Sequence, residues 1–217
     1  TDGRPRILEF GCGTGITLAR LSEWAEAFGI DASSRALAYC MKRGLKNLHW
    51  INPRKPFEPE NPFHEPFDVI LLLDVLEHVE DEISLLKMLR SWLRPGGSLF
   101  VTVPAFPFLW SGEDVVSHHL RRYRISGLGT ILQNAGYSIE RKTYFNFFLF
   151  PVQAGVIFLN RWLCPGLEMK TNVKPLPRPV NSLLTWILSL EKYCLKIVRF
   201  PIGGSILAVA HSNTEPE

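Results

Sequence analysis

Residues 8–15, Leu-Glu-Phe-Gly-Cys-Gly-Thr-Gly, decide the fold of this chain. The apolar run that ends at the glycines predicts a buried strand over Arg6–Phe10, and Ile16–Trp24 carries an apolar helical face. The three alternating glycines let the backbone take positive φ and approach a ligand closely. The stretch therefore predicts a strand that turns sharply into a helix, with the first helical amides facing a bound ligand.

The glycine spacing separates two classes of ligand. A dinucleotide site follows the pattern G-x-G-x-x-G, in which the third glycine packs the helix on the strand. Here Gly11, Gly13 and Gly15 alternate, and Ile16 stands where that pattern needs a glycine. The spacing disfavours an NAD(P)-dependent oxidoreductase, which stays open as an alternative.

A carboxylate follows the second predicted strand, Ala27–Asp31. Asp31 comes 20 residues after Gly11, a spacing that suits a residue accepting hydrogen bonds from ribose hydroxyls. This position supports nucleoside binding without choosing the cofactor. Asp31 is alternatively the N-cap of a helix over Ser33–Lys42.

Strands and helices continue to alternate, which predicts a doubly wound α/β sheet. Further strands are predicted at Leu48–Asn52, Phe67–Asp74, Ser98–Pro104, Tyr137–Tyr144 and Pro201–Ala210, and helices at Glu80–Leu93 and Ile125–Ala135. A polar, proline-rich loop is predicted between the third and fourth strands, over Pro53–Pro66.

Several ordered motifs resemble those of the class I S-adenosylmethionine-dependent methyltransferases, in particular a bacterial branch acting on small molecules or lipids. They are E-x-G-x-G-x-G from Glu9, D-x-L-E-H from Asp74 and L-x-P-G-G from Leu93. The resemblance implies a Rossmann-like, seven-stranded mixed sheet with one antiparallel strand. It also implies S-adenosylmethionine as cofactor, bound by Glu9, Gly11, Cys12, Gly13, Gly15, Asp31, Asn52 and Asp74. Many relatives carry an acidic residue where Asn52 stands, so Asn52 or a backbone carbonyl would contact the adenine.

A polar cluster follows the fifth predicted strand, within residues 113–123. A neutral His118 or His119 is a candidate general base, and we expect these two histidines to be catalytic. Arg121 and Arg122 are candidates to hold a phosphate or carboxylate of the acceptor. The alternative is that these side chains fix the loop by pairing with Glu113 and Asp114.

A long apolar stretch, residues 145–200, separates the last two predicted strands. No charged residue occurs from Tyr144 to Asn160, but polar interruptions leave the run short of the ~20 apolar residues that a bilayer span needs. Residues 141–217 hold nine Lys and Arg against four Asp and Glu. A basic, apolar helical insertion or lid fits peripheral contact with a membrane surface or a lipid-like acceptor, and a homodimer interface or plain core is the alternative.

Composition bounds the remaining properties. With 217 residues and 46% hydrophobic content, the chain is expected to form a single domain over residues 1–217. The net charge of +3 and the lack of a basic stripe disfavour nucleic acid as a partner. Cys12, Cys40, Cys164 and Cys194 lack zinc-site spacing, which predicts reduced thiols, no metal and a cytoplasmic location. Through the insertion over 145–200, we expect this cytoplasmic protein to be peripheral to a membrane. Since the chain begins at Thr1, we expect that an N-terminal segment is missing.

The sequence thus predicts a methyltransferase acting at an oxygen, or else a nitrogen or carbon, of a small-molecule or lipid-linked acceptor. A non-catalytic, membrane-associated scaffold that keeps the same fold is the main alternative.

Overall fold

The computed structural model describes residues 3–52, 60–163 and 177–212. Seven strands form one sheet in the order β3-β2-β1-β4-β5-β7-β6. The strands are β1 (Arg6–Phe10), β2 (Glu26–Asp31), β3 (Leu48–Trp50), β4 (Phe67–Leu73), β5 (Leu93–Pro104), β6 (Tyr137–Phe145) and β7 (Ser205–Ser212). Only β7 runs antiparallel to its two neighbours, β5 and β6. The predicted seven-stranded mixed sheet with one antiparallel strand is confirmed.

The helices that the structure describes lie between these strands. They are α1 (Ile16–Leu21), α2 (Ser34–Lys42), α3 (Glu82–Trp92), α4 (Gly112–Val116), α5 (Ile125–Asn134), α6 (Phe150–Leu163) and α7 (Arg178–Ile197). The helix after β1 stops at Leu21, short of the predicted Trp24, because Glu23 and Trp24 donate to carbonyls three residues back instead of four, and β2 begins at Glu26.

The central strands are apolar because both faces of the sheet are covered. Every residue of β1 is buried, and Leu8 and Phe10 pair in register with Ile70 and Leu72 of β4. Parallel strands covered on both sides read as continuous hydrophobic runs, which explains why these strands could be predicted from the sequence. The resulting core holds the carboxyl ends of β1, β2 and β4 at one edge of the sheet.

Two boundaries differ from those expected. β5 begins at Leu93 instead of Ser98, since Leu93 already pairs with Phe67 ahead of a β-bulge. The last strand begins at Ser205 instead of Pro201. Gly203 packs so closely that an added Cβ would lie 2.2 Å from the carbonyl oxygen of Phe145, and the chain bends there before it joins the sheet.

The segment between β6 and β7 contains α6 and α7. No residue of α6 is buried, and within α7 only Glu191 is buried. Arg141 of β6 holds the end of α7 by donating to the carbonyls of Leu195 and Val198. None of the helices that the structure describes combines the length and hydropathy needed to traverse a bilayer. Parts of two predicted segments, residues 53–59 and 164–176 with Cys164, lie outside the described residues.

Candidate active site

The loops that follow β1 and β4 touch each other at the carboxyl edge of the sheet. Gly11 has a φ of +78°, and a Cβ built on it would lie 2.4 Å from Cγ2 of Val75. Val75 belongs to the D-x-L-E-H segment, whose residues Leu76–His78 form a short 3-10 turn. Only glycine permits this approach, so the predicted cofactor loop and the segment after β4 share one site.

Asp31 fixes the shape of the glycine loop. Its Oδ2 accepts the N–H of Gly13 at 2.7 Å, and its Oδ1 accepts the N–H of Ser33 at 2.7 Å. The cap of α2 is supplied by the Ser33 hydroxyl, which accepts from the Ala36 amide at 3.2 Å. The alternative reading of Asp31 as the helix N-cap is therefore wrong, and its carboxylate instead faces the loop after β1.

Glu9 places a buried carboxyl beneath this loop. The residue is 4% exposed, and its Oε2 atom has no hydrogen-bond partner among the described residues. Burial raises the pKa of Glu9 to about 7, although hydrogen bonds from Thr17 and Leu18 act in the opposite direction. An orphaned buried oxygen of this kind marks a place where a ligand with a hydrogen-bond donor would be accommodated.

The other predicted cofactor residues differ in what they offer. Cys12 turns its side chain into a small core with Leu18 and Cys40, so only its backbone is available to a ligand. Asn52 lies just after β3, whose neighbouring residue Ile51 donates to the Asp31 carbonyl at 3.2 Å. Asp74 is exposed after β4 with a φ of +51°.

The polar segment after β5 folds around Asp114, which is fully buried. Its carboxylate is 2.8 Å from Nδ1 of His119 and accepts Nε of Arg122 at 2.7 Å and the Ser111 amide at 2.7 Å. Burial alone would raise the pKa of Asp114, but the bonds from Arg122, His119 and Ser111 more than offset it and lower the pKa. An ionised Asp114 fixes the His119 proton on Nδ1 and leaves a lone pair on Nε2.

The two arginines are engaged within the protein. Arg122 binds Asp114 and the carbonyl of Ala105, and Arg121 pairs with Glu82 at 2.8 Å. The sequence left open whether this cluster binds the acceptor or fixes its own loop. Asp114 and Arg122 bind each other and so fix the loop. His118 is exposed, and its backbone carbonyl rather than its ring faces His78, at 3.4 Å from Nδ1.

Glu77 and His78, from the segment after β4, lie close to His119 at the carboxyl edge of the sheet. Glu77 is 0% exposed, neither of its carboxylate oxygens has a partner among the described residues, and Oε1 is 3.9 Å from Nε2 of His119. Burial, with the nearby charges of Asp74 and Asp114, raises the pKa of Glu77 to about 8. The His78 and His119 rings meet edge to face at 4.9 Å. One donor atom from each of the three residues lies within 4.8 Å of the others.

An aromatic cluster begins on the chain segment that leads to this site. It extends from the loop after β5 to α6 and comprises Phe106, Phe108, Tyr144, Phe150 and Phe158. Phe106 stacks on Tyr144 with ring centroids 4.9 Å apart, and Phe108 stacks on Phe158 at 6.2 Å. Since the same loop leads on to His119, the candidate catalytic histidine and an apolar surface arise from one segment of chain.

From the sequence, pairing with Asp114 was only the alternative to a catalytic role for the histidines, and Glu77 was missed as a neighbour of His119. The signal for Asp114 was present, because Ser111-x-x-Asp114 has the spacing of a capping box, in which a carboxylate accepts the N-cap amide. The signal for Glu77 was weaker, since its burial depends on the packing of segments far apart in the chain.

A cavity of about 540 Å³ opens at the opposite edge of the sheet and is lined by Arg4, Arg6 and Lys46 among others. Arg6 there pairs with Glu26 at 2.8 Å and Glu65 at 3.3 Å. The cavity has an excess of basic side chains, since Arg4, Arg6, Arg43 and Lys46 line it against Glu26 and Glu65, and it lies away from the glycine loop.

Known proteins with similar sequences are methyltransferases, which agrees with a cofactor site at the glycine loop. A family described as a methyltransferase domain matches residues 1–142. A ubiquinone biosynthesis O-methyltransferase from Nitrosospira multiformis is 28% identical over 152 residues, which cover 62% of this chain and 63% of the relative. The match thus spans less than two thirds of that relative's length.

Solved structures share the fold. A S-adenosylmethionine-dependent methyltransferase from Mesorhizobium loti has a TM-score of 0.61 at 17% identity, with 96% of this chain and 91% of that chain covered. The [4+2]-cyclase SpnF has a TM-score of 0.59 at 21% identity, covering 99% of this chain and 77% of that one. At these identities the likeness concerns the fold, and the chemistry has to be argued from the site.

Proposed function

The chain belongs to the methyltransferase-domain family, and from that premise we propose that it is an enzyme that transfers a methyl group from S-adenosylmethionine to an oxygen of a small-molecule acceptor. The observation that carries the proposal is the contact between Gly11 and Val75. It brings the glycine loop against the segment that bears Glu77 and His78. Methyl transfer needs donor and acceptor aligned in one site, and this edge of the sheet offers both halves.

The residues around the glycine loop fit the cofactor. A Cβ built on Gly13 would meet nothing within 4 Å, so the loop presents an open backbone surface. Each Asp31 oxygen accepts one amide and keeps a lone pair for a ribose hydroxyl. The unpartnered Oε2 of Glu9 would accept from the amino group of the methionine part. When bound, S-adenosylmethionine supplies a methyl group on a positively charged sulfonium.

His119 is the residue placed to act on the acceptor. Asp114 binds Nδ1 and orients the ring, so Nε2 can take the proton of an acceptor hydroxyl while Asp114 stabilises the imidazolium. Removal of this proton turns the hydroxyl into a better nucleophile. His118, which is exposed and directs its carbonyl towards His78, supports the site through its backbone.

The aromatic cluster supports an apolar acceptor. Stacked rings such as Phe106 and Tyr144 favour planar or lipid-like groups over charged ones. The name of the Nitrosospira multiformis relative specifies an O-methyltransferase of ubiquinone biosynthesis, which supports oxygen as the methylated atom. We assign a phenolic or lipid-linked hydroxyl as the acceptor class.

The exposed faces of α6 and α7 support peripheral contact with a membrane. Trp162 is 78% exposed, Trp186 60% and Ile197 87%, and such residues are costly to leave in water. The excess of Lys and Arg over residues 141–217 suits an anionic lipid surface. We propose a cytoplasmic enzyme that contacts the membrane through these helices. The alternative is that two copies of the chain pair through the same helix faces.

A calorimetric titration with S-adenosylhomocysteine, with NADH as control, tests the cofactor. Selective micromolar binding followed by transfer of a radiolabelled methyl group to phenols or lipids supports the proposal. Binding without transfer to any acceptor favours a scaffold that keeps the fold, and selective NADH binding overturns the assignment.

A further inference from the structure

We propose that the cavity at the edge where β1 and β2 begin binds a small organic phosphate. The cavity has a volume of about 540 Å³, and its lining comes from the starts of these two strands and from the chain after α2. Pockets of about 300–1,000 Å³ hold small organic ligands, so the space is larger than a bare phosphate ion needs. The site is separate from the glycine loop, and the inference does not depend on methyl transfer.

Basic side chains outnumber acidic ones on the lining. The basic residues are Arg4, Arg6, Arg43 and Lys46. The two acidic residues, Glu26 and Glu65, both pair with Nη1 of Arg6, at 2.8 Å and 3.3 Å. The remaining three basic residues are exposed and keep the cavity positive. An excess of positive charge in a concave site attracts anions.

Arg6 is the strongest single observation. The residue is only 6% exposed, and its guanidinium lies over the ring of Phe28, 4.4 Å from the centroid. Its Nε has no hydrogen-bond partner among the described residues, although Nη1 is paired. A buried donor without an acceptor is costly, so an oxygen supplied by a ligand would offset that cost.

The unpartnered Nε belongs to the side of a guanidinium that binds oxyanions in a fork. Arg122 shows this geometry in the same protein, where Nε and Nη2 donate to the two oxygens of Asp114 at 2.7 Å and 2.9 Å. Phosphate offers the same spacing of oxygens and a larger negative charge. Glu65 is exposed and is the longer of the two ion pairs of Arg6, so an entering phosphate would displace it first.

Neutral polar groups suit the organic part of the ligand. The Ser22 hydroxyl donates to the Ala19 carbonyl at 2.7 Å, and Nδ2 of Asn47 donates to the Ala27 carbonyl at 3.2 Å. Both side chains lie on the lining and keep oxygen lone pairs that accept from ligand hydroxyls. This set of groups favours a phosphorylated polyol or sugar over an apolar phosphate.

The position of the cavity favours a soluble ligand over a lipid headgroup. Phe145 at the end of β6 pairs with Ser205, and Ser205 also pairs with Pro104 at the end of β5. The segment with α6 and α7 therefore leaves the sheet at its carboxyl edge, whereas the cavity opens at the other edge. A membrane contacted by these helices would lie away from the cavity.

The test is a calorimetric titration with glycerol 3-phosphate and, separately, inorganic phosphate, each with and without saturating S-adenosylhomocysteine. We expect one equivalent of glycerol 3-phosphate to bind in both conditions, and more tightly than inorganic phosphate. An Arg4→Gln, Lys46→Gln double variant should bind it roughly tenfold more weakly. Arg43 is left unchanged because its Nε also donates to the Thr14 carbonyl of the glycine loop, at 2.9 Å.

The matched control is a Lys87→Gln, Arg124→Gln double variant, which removes the same charge from exposed positions outside the cavity. Arg6→Lys keeps the charge but lacks the fork, and it should also weaken binding, with thermal unfolding in the absence of phosphate as the check on its fold. No binding of either phosphate, or equal weakening in the cavity variant and its control, overturns the proposal.

Vesicles that contain phosphatidic acid distinguish the two sources of phosphate. Flotation that depends on Arg4 and Lys46, without binding of glycerol 3-phosphate, overturns the assignment to a soluble ligand. Binding of glycerol 3-phosphate that depends on these residues supports the proposal even where S-adenosylhomocysteine does not bind, because that second result bears on methyl transfer alone.

Discussion

Asp31 accepts the backbone amide of Gly13 in a hydrogen bond of 2.7 Å. A carboxylate at the end of β2 thereby fixes the loop that follows β1, while its second oxygen accepts the amide of Ser33. The same side chain both shapes the glycine loop and offers lone pairs to a ribose. Substitution at Asp31 should therefore affect cofactor binding more strongly than the fold.

Asp31→Ala is expected to weaken the binding of S-adenosylhomocysteine at least tenfold, about 1.4 kcal/mol. The substitution removes both the hydrogen bond to the glycine loop and the partner of the ribose hydroxyls, and both losses weaken cofactor binding. Calorimetric titration measures the change, and Ser33→Ala is the control, since it removes only the α2 cap at about 1 kcal/mol of stability. Unchanged affinity in Asp31→Ala would remove this residue from the site.

His119→Ala is expected to abolish methyl transfer while cofactor affinity stays within about twofold, because the ring lies at the acceptor end of the site. Asp114→Asn should lower kcat by roughly a hundredfold or more, since a neutral amide no longer fixes the tautomer of His119. Steady-state kinetics with paired titrations separate the two effects. Normal turnover in His119→Ala would reduce the residue to a structural role.

Glu9 predicts a dependence of stability on pH. Its pKa is about 7 in the folded chain against an ordinary 4.5, so the folded state keeps a proton that the unfolded state loses between these values. The free energy of unfolding should fall as pH rises through that window, by at most about 1.4 kcal/mol per pH unit for this group. Glu9→Gln should have a shallower slope in urea denaturation at several pH values. Identical slopes would show that Glu9 does not carry the effect.

Gly11 and Gly13 allow a controlled comparison of two substitutions in the glycine loop. Both have positive φ, but only Gly11 would place a Cβ against Val75. Gly11→Ala is expected to cost about 2–4 kcal/mol through strain and overpacking, and Gly13→Ala only about 1 kcal/mol. Urea denaturation compares them. Equal losses would mean that the contact with the segment after β4 is not tight in solution.

The exposed tryptophans of α6 and α7 predict lipid binding. A Trp162→Ser, Trp186→Ser double variant should float with anionic vesicles several-fold less than the wild-type chain, and added salt should weaken both. Trp24→Ser, which removes an indole 56% exposed beside α1, is the control. Light scattering run alongside reports on pairing of two copies. A double variant that floats like the wild type would argue against membrane contact through these helices.

The sheet could be predicted from the sequence because its central strands are nearly continuous apolar runs, as at Phe67–Leu73. The glycine loop and Asp31 could be located for the same reason, since each lies directly after such a run. Pairing of His119 with Asp114 followed from the sequence only as an alternative, and the cluster that Glu77 completes with them could not be predicted. It forms between loops that follow two different strands, and whether a carboxyl there is buried or solvated depends on packing that local patterns do not record.

The antiparallel β7 lies between β5 and β6, although it is the last strand of the sheet to be synthesised. Until residues 205–212 leave the ribosome, β5 has an open edge and β6 has no strand to pair with. The two helices that precede β7 in the chain carry Trp162 and Trp186, which are exposed even in the folded protein. The growing chain thus passes through a state that exposes strand edges and apolar helices together, and this state is where chaperones or a nearby membrane would act first.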